Sequence, residues 1–306
     1  MNYQEALEYL HKLCKFGINL GLERIENLLD HLGNPQLKIK TVHIAGTNGK
    51  GSTVAMLANI LKAAGFKVGV YTSPHLHSYT ERISINGINI SHSDFAEEMA
   101  KVKAVVPQVL KATGENPTEF EILTAMAFDY FSAQKVDIAV IEVGMGGRLD
   151  STNILLPEVC VLTGISADHI DYLGPALTDI AREKAGIIKK GIPVVSSRQT
   201  EEVLQVIREK AENVGAPLYL TEDCRYTQLS YSVFGQQFAL TTPNKQYEKI
   251  PLALLGDHQL ENAATAVYTI EILRSLGWFI NDEAIIEGLR TVYWPGRLEY
   301  LWLKAP

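Results

Sequence analysis

The sequence predicts an α/β protein with a doubly wound parallel sheet and a small antiparallel β section. Three observations predict it. Short β-branched runs alternate with segments whose apolar residues recur every 3.6 positions. The runs are apolar throughout, as strands buried on both faces are. Beyond residue 225 the period changes to two. Taken in order, MNYQEALEYLHKL at the start is an amphipathic helix carrying acids and lacks the form of a signal peptide. TVHIA (41–45), KVGVYT (67–72), VDIAVIEV (136–143), EVCVLTGI (158–165) and IPVVSS (192–197) read as strands. Between them STVAMLANILKAAG, EFEILTAMAFDYFSAQ, ALTDIAREKAGIIKK and EEVLQVIREKAENVG read as helices. Residues 225–250 alternate like antiparallel hairpins, and two helices follow, near 259–276 and 281–290.

Totals narrow the function classes. The chain has 306 residues, 46% hydrophobic and 21% charged, with net charge −7. Its pI near 5.7 gives no general attraction to nucleic acid or anionic membrane, so neither is an expected partner. Cys14, Cys160 and Cys224 are far apart and form no C-x-x-C pair, which fits a reducing compartment. The longest apolar stretches are too short and too charged to span a bilayer. A cytoplasmic, monomeric protein is expected.

The chemistry concentrates in HIAGTNGKGST (43–53). The pattern G-x-x-x-x-G-K-[ST] is not met, because Ile44 stands where its first glycine belongs and Gly51 follows Lys50. A glycine-rich βα turn with an exposed lysine is the plain alternative. Strand before, helix after and lysine between favour a nucleotide phosphate: a helix N-terminus offers unpaired N–H groups, and glycines let the backbone approach closely. Glu142, near the end of an apolar strand, needs a partner for its charge; a salt bridge or cap is the plain alternative, but its place at the strand's carboxyl end, before a glycine-rich loop, points to a magnesium ligand.

HIAGTNGKGS, with VIEVGMGGRLDSTN (140–153), closely resembles the paired signatures of folylpolyglutamate and dihydrofolate synthases. These are ATP-dependent amide ligases of the Mur-ligase-like class. NLGLERI (19–25), TSPHLHSYTERISING (72–87), TEFEILTAMAF (118–128), SADHIDYLG (166–174), IAREKAGI (180–187), HQLENAATA (258–266) and WPGRLE (294–299) extend the resemblance over nearly all of the chain. It implies a phosphate-loop ATPase domain like the central domain of Mur ligases.

The resemblance implies site roles residue by residue. Gly46, Thr47, Asn48, Gly49, Lys50, Gly51 and Ser52 would bind ATP, with Asn262 and Arg297 reaching the nucleotide from later segments. Ser73 and Glu142 would hold one Mg²⁺ and His169 a second. Lys50, Lys184 and His169 would take part in the reaction, Lys184 as a carbamylated lysine. Leu20, Gly21, Leu22, Thr118, Phe120, Leu149, Asp150 and Ser151 would surround the pteroate part of dihydropteroate or a reduced folate. There Phe120 would stack on the pterin and Asp150 accept from its amino groups. The implied reaction adds L-glutamate through an acyl phosphate, giving ADP and phosphate.

The implied division is an ATP-binding domain over 1–296 and the start of a glutamate-ligase domain over 297–306, before that domain's D-x-A-H-N-P motif. The rival readings are an ATP- and folate-binding fragment without ligase activity, and a ligase of peptidoglycan precursors. LDSTN speaks against the latter.

Overall fold

A computed structural model of the chain describes residues 1–13 and 19–298. Its elements in chain order are α1 (Tyr3–Leu13), α2 (Glu23–His31), β1 (Thr41–Ala45), α3 (Lys50–Ala63), β2 (Val68–Tyr71), β3 (Ile83–Ile85), β4 (Ile88–Asn89), α4 (His92–Thr113) and α5 (Glu119–Ala133). Then come β5 (Ile138–Glu142), β6 (Val159–Leu162), α6 (Ile170–Leu173), α7 (Leu177–Ala185), β7 (Val194–Ser196), α8 (Glu201–Asn213) and β8 (Leu218–Leu220). β9 (Arg225–Ser232), β10 (Gly235–Thr241), β11 (Gln246–Leu252), α9 (Asp257–Ser275) and α10 (Asp282–Thr291) complete them.

The main sheet runs β4-β3-β2-β5-β1-β6-β7-β8. Its six strands from β2 to β8 pair in parallel, and β3 and β4 extend the β2 edge antiparallel. β1 is central, and every one of its residues is buried. The period of two assigns its side chains to opposite faces. Val42 and Ile44 join α3, α9, α10 and the three-stranded sheet β11-β10-β9 in one apolar cluster. On the other face α1, α2, α4 and α5 cover Tyr71, Ala139 and Ile141, while α7 and α8 cover Ala45, Cys160 and Leu162. The chain therefore winds in both directions from β1, and the crevice at the carboxyl ends of β5, β1 and β6 is the place for a ligand.

The predicted strands and helices form, trimmed at their ends, and the stretch 225–250 is the antiparallel sheet. The elements not read from the sequence are α2, α6, the β3–β4 hairpin, β8 and α4. β3 and β4 form a hairpin across Asn86–Gly87, both at positive φ, the conformation that an Asn-Gly pair favours in a two-residue hairpin turn. β8 is three residues long, too short for a period. α4 carries Pro107 inside its 22 residues, which masks a good apolar stripe of Phe95, Met99, Val102, Val106 and Val109.

Cys160 and Cys224 are buried free thiols; Cys14 lies outside the described residues. So do positions 299–306, which hold most of the expected start of a second domain. No helix among the described residues is long and apolar enough to cross a membrane.

Candidate active site

The loop between β1 and α3 is shaped by what its glycines permit. Ile44, in place of the first glycine of the longer pattern, is a fully buried strand residue, so the loop begins two residues later, at Gly46. A β-carbon there would collide with the Thr163 hydroxyl at the end of β6; one at Gly49, where φ is +87°, would meet the Asn262 amide. Gly51 packs beneath the Trp294 indole. The loop is also tied sideways. Thr47 and Asn48 donate their backbone N–H to Gly164 O at 2.9 and 3.1 Å, and Thr47 Oγ1 donates to Ser166 O at 3.0 Å.

Two lysines converge on this loop. Lys50 Nζ donates to Gly46 O at 3.0 Å and to Thr47 O at 3.3 Å. Lys184 Nζ, from the last turn of α7, donates to the same Gly46 O at 2.9 Å. Neither ammonium has a carboxylate within salt-bridge distance among the described residues. Burial, and then the charge of Lys50, push the Lys184 ammonium down to about 8. Two cations sharing one carbonyl at the N-terminus of a 14-residue helix are an arrangement that an anion such as a phosphate relieves.

Glu142 ends β5 beside this loop. It is 5% exposed, and its one direct donor among the described residues is the Ser73 backbone N–H, at 3.4 Å from Oε2. Burial pushes its carboxyl up to about 7 against the opposing charges of Lys50 and Arg297. An underpaired buried carboxylate that touches the backbone of a serine fits a hard divalent cation that completes its shell with phosphate oxygens and water. No group of three or more His, Cys, Asp or Glu among the described residues forms a metal site by itself. His169, at φ +48° before α6, holds its ring Nε2 3.6 Å from Asp168.

From the far side, Asn262 Nδ2 donates to Gln259 Oε1 at 3.0 Å, and Gln259 Nε2 donates to Ser52 Oγ at 3.2 Å. The first turns of α9 thus brace the first turn of α3. Arg297 follows the turn at Gly296 and acts electrostatically on Glu142.

A cavity of about 460 Å³ lies next to these groups. Leu20, Thr118, Phe120, Leu149, Asp150 and Ser151 line it, together with Ser73 and His169. The Phe120 ring lies over Gly144 and 5.9 Å from the Tyr71 ring. Gly21 and Leu22 are not on the wall: Gly21 lies beside the Arg24 guanidinium, and Leu22 packs into the helical core. Two hydroxyl and carboxyl groups on the wall have internal duties. Thr118 caps α5, its Oγ1 donating to Glu121 Oε2 at 2.9 Å. Asp150 Oδ2 accepts from Met145 N at 2.9 Å and Oδ1 from Thr152 N at 3.0 Å. Arg82 also lines the cavity, its Nε donating to His75 Nδ1 at 2.9 Å.

Residues 44–270 match the Mur ligase middle domain. The dihydrofolate synthase/folylpolyglutamate synthase of Bacillus subtilis is 44% identical over 99% of this chain and 71% of its own length. The folylpolyglutamate synthase of Lacticaseibacillus casei is 37% identical over 98% and 71%. The chain belongs to the folylpolyglutamate synthase/dihydrofolate synthase family. These synthases are ATP-dependent ligases, and a solved FPGS–AMPPCP–folate complex superposes with a TM-score of 0.91 at 36% identity, covering 97% of this chain and 73% of its own.

Reading the synthase signatures alone misses Thr163, Gly164 and Ser166, which hold the loop from β6; Gln259, which braces Ser52; Trp294, which covers Gly51; and Arg82, on the cavity wall. All stand in segments quoted for the resemblance or next to them, but only the fold brings them to the site.

Proposed function

We propose that the chain binds ATP on the 46–52 loop and a pteroate-containing acceptor in the 460 Å³ cavity, and joins L-glutamate to the acceptor's carboxylate. The observation that carries this reading is the meeting of the two sites at Ser73. Its residue lines the cavity while its backbone N–H reaches Glu142 beside the two-lysine loop. A carboxylate held in the cavity therefore has a path to a phosphate held on the loop. The solved FPGS–AMPPCP–folate relative supports the same pairing of ligands.

In this reading an oxygen of the acceptor carboxylate attacks the γ-phosphorus of ATP. The bond to the β,γ-bridging oxygen breaks, and ADP leaves with that electron pair. The amine of L-glutamate then attacks the acyl phosphate carbon, loses a proton and expels phosphate, leaving an amide. Lys50 and the N–H groups at the start of α3 balance the charge spreading over the γ-oxygens, a matter of positioning and fixed charge. Glu142 and Ser73 would hold one Mg²⁺ and His169 a second, supplying further neutralisation of phosphate charge. The depressed Lys184 ammonium suits its conversion to a carbamate. Asn262 and Arg297 would hold the rest of the nucleotide, and Phe120 would stack on the pterin.

We further propose that residues 1–296 act as one nucleotide-binding unit, that the protein works as a monomer in the cytoplasm, and that 297–306 begin a second domain. The test supplies the full chain with Mg²⁺, ATP and L-glutamate, adding dihydropteroate and tetrahydrofolate in separate reactions read by mass spectrometry. A glutamyl adduct that disappears in Lys50→Ala is expected. Binding of both ligands with no adduct in either reaction would reduce the chain to a binding module.

A further inference from the structure

We infer that His43, Thr152 and Asp150 form a buried hydrogen-bond relay through which the central strand β1 fixes the Asp150 carboxylate in the acceptor cavity. His43 and Thr152 are then positioning residues for acceptor binding. The inference rests on the reading of the 460 Å³ cavity as the acceptor site.

His43 is the middle residue of β1, opposite Ile141 of β5 and Cys160 of β6, and is 0% exposed. Its neighbours Val42 and Ile44 point to the α3 side, so its ring points to the other face, beneath the short turn at 151–154. There Nε2 lies 2.8 Å from Thr152 Oγ1. Thr152, also 0% exposed, donates that hydroxyl proton to Asp150 Oδ1 at 2.5 Å. Both Asp150 oxygens accept from backbone N–H groups as well; burial pushes the Asp150 carboxyl up from its ordinary range, and these bonds, with that from the Thr152 hydroxyl, oppose it in favour of the charged form.

These contacts decide the tautomer. The single Thr152 hydroxyl proton is engaged with Asp150, so the imidazole must donate from Nε2. Nδ1 is then a bare lone pair, and it has no partner in its buried surroundings. The opposite tautomer would orphan an N–H and set two lone pairs against each other, which is worse. A Val or Ile at 43 would suit a doubly buried strand and leave no orphan. What His43 supplies, and they cannot, is an N–H aimed at Thr152.

The direction of the chain matters. Hydrogen bonds run from His43 to Thr152 to Asp150, the reverse of the order that activates a hydroxyl nucleophile, and Thr152 is sealed from the cavity. What reaches the cavity is the orientation of Asp150, a residue of its lining. Burial and the nearby Lys189 ammonium push the His43 imidazole down to about 3, so the ring stays neutral throughout the neutral range. Lys189 also holds the same turn, donating Nζ to Asn153 O at 2.8 Å.

The test compares Thr152→Val, which keeps shape and loses the hydroxyl, with Thr152→Ser, which restores it. Three quantities are read on the full chain: the Kd for tetrahydrofolate by calorimetry, the Kd for ATP, and hydrogen exchange at the Met145 amide, which donates to Asp150. Thr152→Val is expected to weaken tetrahydrofolate binding about tenfold, to leave ATP within about twofold, and to speed Met145 exchange. Thr152→Ser is expected to reverse all of this. If Thr152→Val does not fold, His43→Gln, which keeps a donor, against His43→Leu carries the same comparison. Unchanged acceptor affinity and Met145 exchange in Thr152→Val overturn the proposal. So does a parallel loss of ATP and acceptor binding that Ser does not rescue. Failure of the unmutated chain to bind tetrahydrofolate would remove the acceptor reading instead, together with the relay's service to it. The Met145 amide would still decide whether the relay fixes Asp150.

Discussion

At Gly49 the backbone turns through φ +87° with the Asn262 side chain lying where a β-carbon would stand. Gly49→Ala has to strain the loop and displace Asn262 together, at a cost of about 1–3 kcal/mol. Urea unfolding should show that loss, and calorimetry an ATP affinity at least about tenfold weaker; an unchanged midpoint and affinity would mean the loop yields freely. His43 predicts a pH dependence. Above pH 6.5 both folded and unfolded chains carry a neutral imidazole. Between about 3 and 6.5 only the unfolded chain takes the proton, so stability falls as pH falls, by up to about 1.4 kcal/mol per unit. Burial and the Lys189 ammonium both oppose protonation, and Asp150 is linked to the ring only through the Thr152 hydroxyl. His43→Gln should remove this acid limb from a plot of urea midpoint against pH. A limb of the same slope in the variant would assign it to other groups.

Among elements, α2 and α5 are joined by a buried ion pair. Arg24, 6% exposed, donates Nε to both oxygens of Glu121, 1% exposed, at 3.1 Å. Its two other nitrogens donate to Glu115 Oε2 and Asn19 O, each at 2.6 Å. This one guanidinium pins the 19–20 segment and the start of α5, both on the cavity wall. Arg24→Met leaves Glu121 buried without its partner and should cost about 3–5 kcal/mol in urea unfolding, with part regained in Arg24→Met/Glu121→Gln. Absence of any regain would show that the packing of the arginine stem, not its charge, matters. The same scale shows what a linear reading sees. β1, α3, β5, α7 and α9 were legible because each buries a long apolar pattern of one period. β8 is too short to have a period, and α4 hides its stripe behind Pro107. The β3–β4 hairpin was marked by Asn86–Gly87, a signal present and not used.

For the whole molecule, the decisive step is the convergence of β5, β1 and β6 at one edge. The contiguous loop 46–52 was visible in sequence because its chemistry lies within seven residues. Lys184 and Asn262 needed the family resemblance, since nothing near them in sequence distinguishes a helix lysine or a helix amide from structural ones, whereas Glu142 was marked by its place at a strand end before a glycine-rich loop. Arg82, Gln259 and Trp294 were not singled out, because folding alone sets their distance to the site. A folded unit with such a site is stabilised by its ligand: saturating the full chain with AMPPCP at 100 times its Kd should add about 2.7 kcal/mol. That corresponds to a rise in Tm of roughly 4 °C by calorimetric scan, and no rise would speak against the nucleotide assignment. The Gly46 carbonyl, shared by the ammoniums of Lys50 and Lys184, has a practical corollary. The loop does not distinguish a nucleotide's phosphate from any other small oxyanion until the rest of the ligand is engaged, so sulfate and phosphate buffers should act as competitors. Measured in them, the apparent Kd for ATP should climb in proportion to buffer concentration, while in chloride of matched ionic strength it should not.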